Sequence, residues 1–367
     1  MKRNTKIRKK LFRLFLIITI LMFSMTALGK NKNIILKDMG SFTFGGRVYT
    51  EENGETFHGD HGYAQYFIPE KNKKLPIVMW HGMGQSGKTW ESTPEGKDGF
   101  WQILTKNNWS VYIIDQPGRG RAGRSRLELM DPGLIPTSAG ESLLWNSFRL
   151  GEVKDPKERK LFENVKFSRD EKAMDEFYRW QTPDNGVIVD RIPDNTEYMA
   201  ETAAKLFKKT GDAILLTHSA SGTLGWNARL KSDKVKAIVA YEPGTYVYPE
   251  GENIPDLPSK IELAYNISKP VYIPAEEFKK LTEIPILIVY GDNIYESETF
   301  GIEFWRLSIE RGRQFVELVN KYGGDAELVH LPEIGIKGNT HFPFADTNNE
   351  VIAKQLMDFL KEKKLNK

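Results

Sequence analysis

A chain of 367 residues carries enough material for one large α/β core, alone or with an inserted subdomain, and its 40% hydrophobic and 28% charged content reads as globular beyond the first thirty positions. It contains no cysteine, which excludes disulfides, thiolate catalysis and Cys-ligated metals. The formal charge of +3 belongs to the start of the chain: Lys2, Arg3, Lys6, Arg8, Lys9, Lys10 and Arg13 are seven positive charges with no acid before residue 30, and without them +3 becomes −4, so the basic balance is no argument for a nucleic-acid partner.

The first thirty residues have a basic head, an apolar run from Leu14 to Phe23, and small residues at Ala27 and Gly29. This pattern predicts a signal peptide over residues 1–29 and an exported protein, periplasmic or secreted. The alternative is an uncleaved anchor, the chain's one membrane contact, but the apolar run falls short of the ~20 residues a spanning helix needs.

Beyond it, short apolar runs alternate with helical patterns, which predicts an α/β fold: a mostly parallel central sheet flanked by helices. Predicted strands are Asn33–Leu36, Gly40–Phe44, Gly62–Phe67, Pro76–Trp80, Val111–Asp115, Ala213–Thr217, Lys236–Tyr241, Pro285–Tyr290 and Glu327–Leu331. The early ones alternate and are rich in glycine, suiting an antiparallel edge; the middle ones are near-continuous Ile/Val/Leu runs, suiting burial on both faces. Helical spacing marks Glu141–Leu150, Arg169–Trp180, Glu197–Lys209, Glu303–Tyr322 and Val351–Lys361. The long interval without a strong strand after Pro117 predicts an inserted helical cap over residues 117–194, dividing a core made of 30–116 and 195–367.

Three stretches imitate nucleotide sites. "HGMGQSGKTW" (81–90) fits G-x-x-x-x-G-K-[ST], "VYIID" ends in Asp115 like a magnesium-binding strand, and "GRGRAG" (118–123) fits G-x-G-x-x-G. Context argues against each: Pro94 and Gly96 break any helix soon after Lys88-Thr89, and Pro132-Gly133 does so after Gly123. No nucleotide is expected. "HGDHG" (58–62) reads as a turn, so no metal or other cofactor is expected either.

The strongest chemical signal is "AILLTHSASGTLGW" (213–226), a buried strand running through Ser219 into a helix. A nucleophile elbow has this form, with small residues two positions to either side of the serine; here Thr217 and Ser221 stand where glycines are usual. Ser221 is the alternative nucleophile. A serine hydroxyl needs a base and an orienting carboxylate. Of six histidines, His341 in "GIKGNTHFPF" lies in a loop beyond the last strand; His330 falls within a strand, and His218 adjoins the elbow and supports it. Two strand-end acids follow the serine, Glu242 in "AIVAYEPG" and Asp292 in "ILIVYGDN", and position alone slightly favours Asp292.

The motifs "HGMGQSGKTWESTPEGKDGF", "VYIIDQPGRGR", "THSASG", "AIVAYEPG", "ILIVYGDNI" and "LPEIGIKGNTHF", the last followed by "DTNN", run in order from Leu75 to the C-terminus and resemble a small group of bacterial α/β-hydrolase esterases. The resemblance implies the α/β-hydrolase fold and hydrolysis of small-molecule carboxylic esters without cofactor or metal. It implies Ser219 as nucleophile, His341 as base and Glu242 as acid, which moves Glu242 ahead of Asp292. Backbone amides of Met83 and Ala220 become the expected oxyanion donors. In the resembled group a cysteine pair occupies the region of Met83 and Gly84; this chain has none. Lipase, acyltransferase and peptidase chemistry, or a silent binding protein of the same fold, fit the same pattern.

Overall fold

A computed structural model describes residues 33–123, 138–153, 155, 157–183 and 193–367. The predicted signal segment and Pro132-Gly133 lie outside them. In chain order the strands are β1 (Leu36–Thr50), β2 (Thr56–Pro69), β3 (Ile77–Trp80), β4 (Val111–Asp115), β5 (Ala213–His218), β6 (Val235–Tyr241), β7 (Val247–Pro249), β8 (Val271–Ile273), β9 (Pro285–Tyr290) and β10 (Asp325–His330). Eight of them form one sheet in the order β1-β2-β4-β3-β5-β6-β9-β10, while β7 and β8 pair separately. The sheet is antiparallel from β1 through β4 and parallel from β4 to β10.

The burial explains the sequence pattern. Every residue of β3 and β5 is buried, which is why these strands read as unbroken apolar runs. Successive residues face opposite layers: Val78 and Trp80 join one core cluster, Ile77 and Met79 the other. Strand β1 alternates, as a half-exposed edge must. It is a single strand where two were predicted, because Gly40 is not a turn. Gly40 pairs with Tyr66 across the sheet, and a Cβ there would lie 2.7 Å from the Tyr66 hydroxyl oxygen, so the glycine makes room for that ring.

The α-helices are α1 (Phe100–Lys106), α2 (Glu141–Ser147), α3 (Glu171–Arg179), α4 (Pro193–Thr210), α5 (Ser221–Lys231), α6 (Glu262–Ile267), α7 (Ala275–Thr282), α8 (Phe300–Lys321) and α9 (Asn349–Glu362). Residues of α4, α5, α7 and α8 fill one face of the sheet; α1 and α9 cover the other. Helix α4 stops at Gly211, whose φ of +76° lets the chain turn out of the helix without a Cβ penalty. Helix α1 was not anticipated. Its start is capped by the Gln102 side chain, which accepts the Gly99 amide at 2.6 Å, a cap that the run of turn residues before it conceals.

The interval predicted as a cap contains α2 and α3 and no strand among its described residues. Its Leu144, Trp145, Phe148, Phe167, Phe177 and Trp180 share one core cluster with Phe342, Phe344 and α9. This segment therefore packs on the end of the sheet where the functional loops lie. Among the described residues no helix is long and apolar enough to cross a membrane.

Candidate active site

Strand β5 delivers the chain to a sharp turn, and α5 leaves it at once. The turning residue is Ser219, with φ of +56°. A non-glycine residue in this region costs roughly 1–3 kcal/mol and persists only when its surroundings hold it. They do so through backbone bonds: the Ser219 amide donates to Tyr241 O at 3.0 Å, and its carbonyl accepts Gly222 N at 2.9 Å and Gly244 N at 3.3 Å. Gly82 presses on the turn from β3; a Cβ there would lie 2.9 Å from Ser219 Cβ.

The two serines of the motif have different fates. Ser221 is buried, and its Oγ accepts the His218 amide at 2.9 Å while lying 3.0 Å from Trp80 O and 2.9 Å from His218 O, to either of which it donates. It ties the elbow to β3 and has no free hydroxyl to offer. Ser219 is half-buried, and its Oγ makes no hydrogen bond among the described residues. His341 lies outside hydrogen-bonding distance of it, its Nδ1 being turned to Glu242. His218 does support the elbow region: its Nε2 is 2.9 Å from His341 O, joining the serine turn to the histidine loop.

His341 stands in the loop between β10 and α9. Asp346 braces this loop, accepting Thr340 N at 2.7 Å, Thr340 Oγ1 at 2.8 Å and Asn339 Nδ2 at 2.9 Å. The imidazole packs against Trp305, with ring centres 4.2 Å apart, and Phe148, at 5.6 Å. Its Nδ1 lies 2.5 Å from Glu242 Oε2. Burial draws the His341 pKa below the ordinary value, the Glu242 hydrogen bond and charge pull it back up, and the Arg149 charge opposes them.

Glu242 follows β6 with φ of +48° and is wholly buried. Its Oε1 accepts the Gly291 amide at 2.6 Å and an ion-paired hydrogen bond from Arg149 Nη2. Burial alone would raise its pKa; the Arg149 charge, then the hydrogen bond and charge of His341, outweigh that and hold the carboxyl at about 2. Asp292 is turned elsewhere. Its Oδ2 accepts Gly338 N at 2.7 Å and Asn164 Nδ2 at 3.0 Å, and its Oδ1 accepts its neighbour Asn293 N at 2.7 Å. The structure thus brings Glu242, and not Asp292, to the imidazole.

The loop after β3 explains the nucleotide-like motifs. Gly87, the second glycine of the imitated phosphate loop, spends its amide on Asp115 Oδ1 at 2.5 Å, while Asp115 Oδ2 takes Arg121 N at 2.9 Å and Arg121 Nε at 2.8 Å. Gly120 of "GRGRAG" is needed for the same knot, since a Cβ there would lie 2.8 Å from Asp115 Cγ. Only a four-residue 3₁₀ turn, Gly87–Trp90, follows, and Lys88 Nζ turns to Ser92 Oγ at 2.8 Å. Within the loop, the Met83 amide has no hydrogen-bond acceptor among the described residues, and neither does that of Ala220, so both remain available to a ligand oxygen. His81 fixes the loop's start: its Nε2 accepts Gln116 N at 3.2 Å, so its Nδ1 carries the proton and donates to Gly82 O at 2.8 Å. Burial, only partly countered by Asp115 and that carbonyl, holds the ring pKa down at about 4 and keeps it neutral. Thr182 holds the far side, its amide donating to Gly84 O at 2.8 Å and its hydroxyl to Gln85 O at 3.0 Å. These bonds brace the stretch that follows Met83.

No family model matches the chain. A solved structure described as that of a novel bacterial esterase is 28% identical, superposes with a TM-score of 0.71, and matches 90% of this chain and 97% of its own. The chain has the α/β-hydrolase fold. A fungal relative (strain ATCC 74256), the probable secreted lipase phiG, is 26% identical over 349 residues, 82% of this chain and 85% of its own length.

The candidate site also contains residues that the sequence concealed. Arg149, wholly buried at φ of +54°, reaches Glu242 from 93 residues away and donates through Nε to Asp292 O at 2.8 Å. No local pattern around "SFRLGE" marks it. Asp346 was equally hidden, as one acid in a polar loop. The imitated metal motif at residues 58–62 lies in β2, and among the described residues no group of three or more His, Asp or Glu side chains is arranged to hold an ion.

Proposed function

We propose that this protein is an exported serine carboxylesterase. The observation that carries the proposal is the contact of His341 Nδ1 with Glu242 Oε2 at 2.5 Å, on the same sheet end as a left-handed Ser219. A carboxylate held at about pKa 2 stays ionised throughout the working range, so Glu242 fixes the imidazole tautomer that leaves Nε2 free to accept a proton.

In the proposed reaction Ser219 Oγ attacks the ester carbonyl as His341 takes its proton. The negative oxygen of the tetrahedral intermediate accepts the Met83 and Ala220 amides. The intermediate collapses with His341 returning the proton to the departing alcohol, leaving the acyl group on Ser219. Water, deprotonated by His341, attacks that ester, and the carboxylic acid leaves as the proton returns to Ser219. Each oxyanion donor is worth on the order of 3 kcal/mol of barrier. The likeness to an esterase structure and to a probable secreted lipase supports ester hydrolysis, and the latter supports export together with the signal-like residues 1–29. Residues 117–194 are proposed as the cap that shapes the substrate site.

A fluorophosphonate probe should label the wild type and leave Ser219→Ala unlabelled; equal labelling of both would refute the assignment. A p-nitrophenyl ester panel of rising chain length then separates esterase from lipase, and amide or alcohol co-substrates test peptidase and acyltransferase chemistry. A wild type silent to every substrate and to the probe would mark a binding protein of the same fold.

A further inference from the structure

We propose that Arg149 is a positioning residue for the Glu242–His341 pair, clamping the carboxylate so that one oxygen is kept for the imidazole. The inference rests on the esterase reading above and adds to it a residue from the segment between the two halves of the core.

A buried glutamate has more rotatable bonds than an aspartate and needs more restraint to present one oxygen steadily. Two donors supply it. The Gly291 amide and the Arg149 guanidinium both converge on Oε1, which leaves Oε2 as the acceptor for His341 Nδ1. The guanidinium is itself fixed by its Nε bond to Asp292 O and by Trp305, whose ring centre lies 5.9 Å away. Phe148 adds a second grip. Its carbonyl accepts the His341 amide at 3.0 Å, and its ring lies nearly parallel to the imidazole. Two consecutive residues beyond α2 thus hold both members of the pair. The turn that carries them is anchored in its own right, since Trp305 Nε1 donates to Ser147 O at 2.6 Å. Arg149 grips the same carboxylate that meets the His341 imidazole, and the His341 carbonyl is tied to His218, the residue before Ser219.

The charge has a second consequence. Facing His341 are the carboxylate of Glu242, the guanidinium of Arg149 and the ring of His218, with Asp346 close enough to Glu242 to feel its charge. Arg149 opposes protonation of the imidazole, so its removal makes the pair easier to protonate. The acidic limb of the kcat/KM profile must then move to higher pH.

The test uses the full chain, a p-nitrophenyl ester, and the variants Arg149→Met, Arg149→Lys, Glu242→Gln, Arg149→Met/Glu242→Gln and Arg149→Lys/Glu242→Gln. Arg149→Met is expected to lower kcat about tenfold to a hundredfold at nearly unchanged KM, and to raise the acidic limb by about one pH unit. Arg149→Lys, which keeps the charge, should restore the wild-type limb and part of kcat. In the Glu242→Gln background Arg149→Met should cost less than about twofold, because no carboxylate remains to be positioned. An equal loss in both backgrounds, or a loss without movement of the limb, would overturn the proposal. If Arg149→Met does not fold, the lysine variant decides: a loss that disappears in the Glu242→Gln background supports the clamp, and one that persists there refutes it. Full activity in Ser219→Ala would sink the esterase reading itself, whereas an inactive Ser219→Ala beside an unaffected Arg149→Met would sink only the clamp.

Discussion

Replacing Glu242 by glutamine keeps the shape of the side chain and changes its hydrogen-bonding capacity. Three donors converge on the carboxylate: Gly291 N and Arg149 Nη2 on Oε1, and His341 Nδ1 on Oε2. An amide has one oxygen, and the two donors on Oε1 will claim it. The NH₂ group then faces His341 Nδ1, which can only accept, so the ring proton moves to Nε2, where it blocks the base. A wrong tautomer of this kind costs about 10⁴ in kcat in the best-studied triad, or about 5 kcal/mol of barrier at 1.36 kcal/mol per tenfold. Stability falls as well, because the buried Arg149 loses its counter-charge; breaking such a pair costs roughly 3–5 kcal/mol. At about 1.4 °C per kcal/mol for a chain of this size the melting temperature should drop by roughly 4–7 °C, with the fold retained. Asp292→Asn is the control, since its carboxylate serves only loop amides; it should keep kcat within about tenfold and lose roughly 1–2 kcal/mol of stability. Steady-state kinetics and thermal melts of the two variants check this. A crippled Asp292→Asn beside a nearly normal Glu242→Gln would refute the assignment of the acid and the tautomer argument together.

Ser221→Ala removes the hydroxyl joining the elbow to Trp80 O, so it should cost about 1–2 kcal/mol in melting experiments and slow turnover, while the fluorophosphonate probe still labels Ser219. Loss of labelling in that variant would reopen Ser221 as nucleophile. Gly82→Ala places a methyl 2.9 Å from Ser219 Cβ and 2.9 Å from His218 Nδ1, both held by the turn; displacement of the hydroxyl should lower kcat about a hundredfold, and an activity within threefold of wild type would show that the loop yields freely. Burial raises Asp346 to about 7 against the opposing hydrogen bonds of Thr340 and Asn339. Between an unfolded pKa of about 3.9 and that value the folded chain holds a proton the unfolded chain has lost, so this group's contribution to stability declines as pH rises through the window. Glu242 acts with the opposite sign: held at about 2, it stabilises above its unfolded pKa, and that gain is lost as pH falls towards 2. Melting temperature against pH should therefore show wild type losing ground to Asp346→Asn from pH 4 to 7; parallel curves would contradict the raised pKa.

Much of this molecule could be read from the residue pattern, and the limits of that reading are physical. Strands β3, β5, β6 and β9 were legible because strands buried on both faces are apolar at nearly every position. The elbow was legible because it is local: a buried strand, small residues and a helix within fourteen positions. The use of Gly87 in the imitated phosphate loop could not be foreseen, since its partner Asp115 lies 28 residues on, at the end of β4. Glu242 and Asp292 follow neighbouring strands and are locally alike. Only packing turns one carboxylate to His341 and the other to Gly338 and Asn164. Arg149 is the extreme case. A lone arginine in an unremarkable turn becomes the buried partner of Glu242 because the chain folds that turn back onto the sheet end, and a contact between residues so distant in sequence leaves no period or spacing to read.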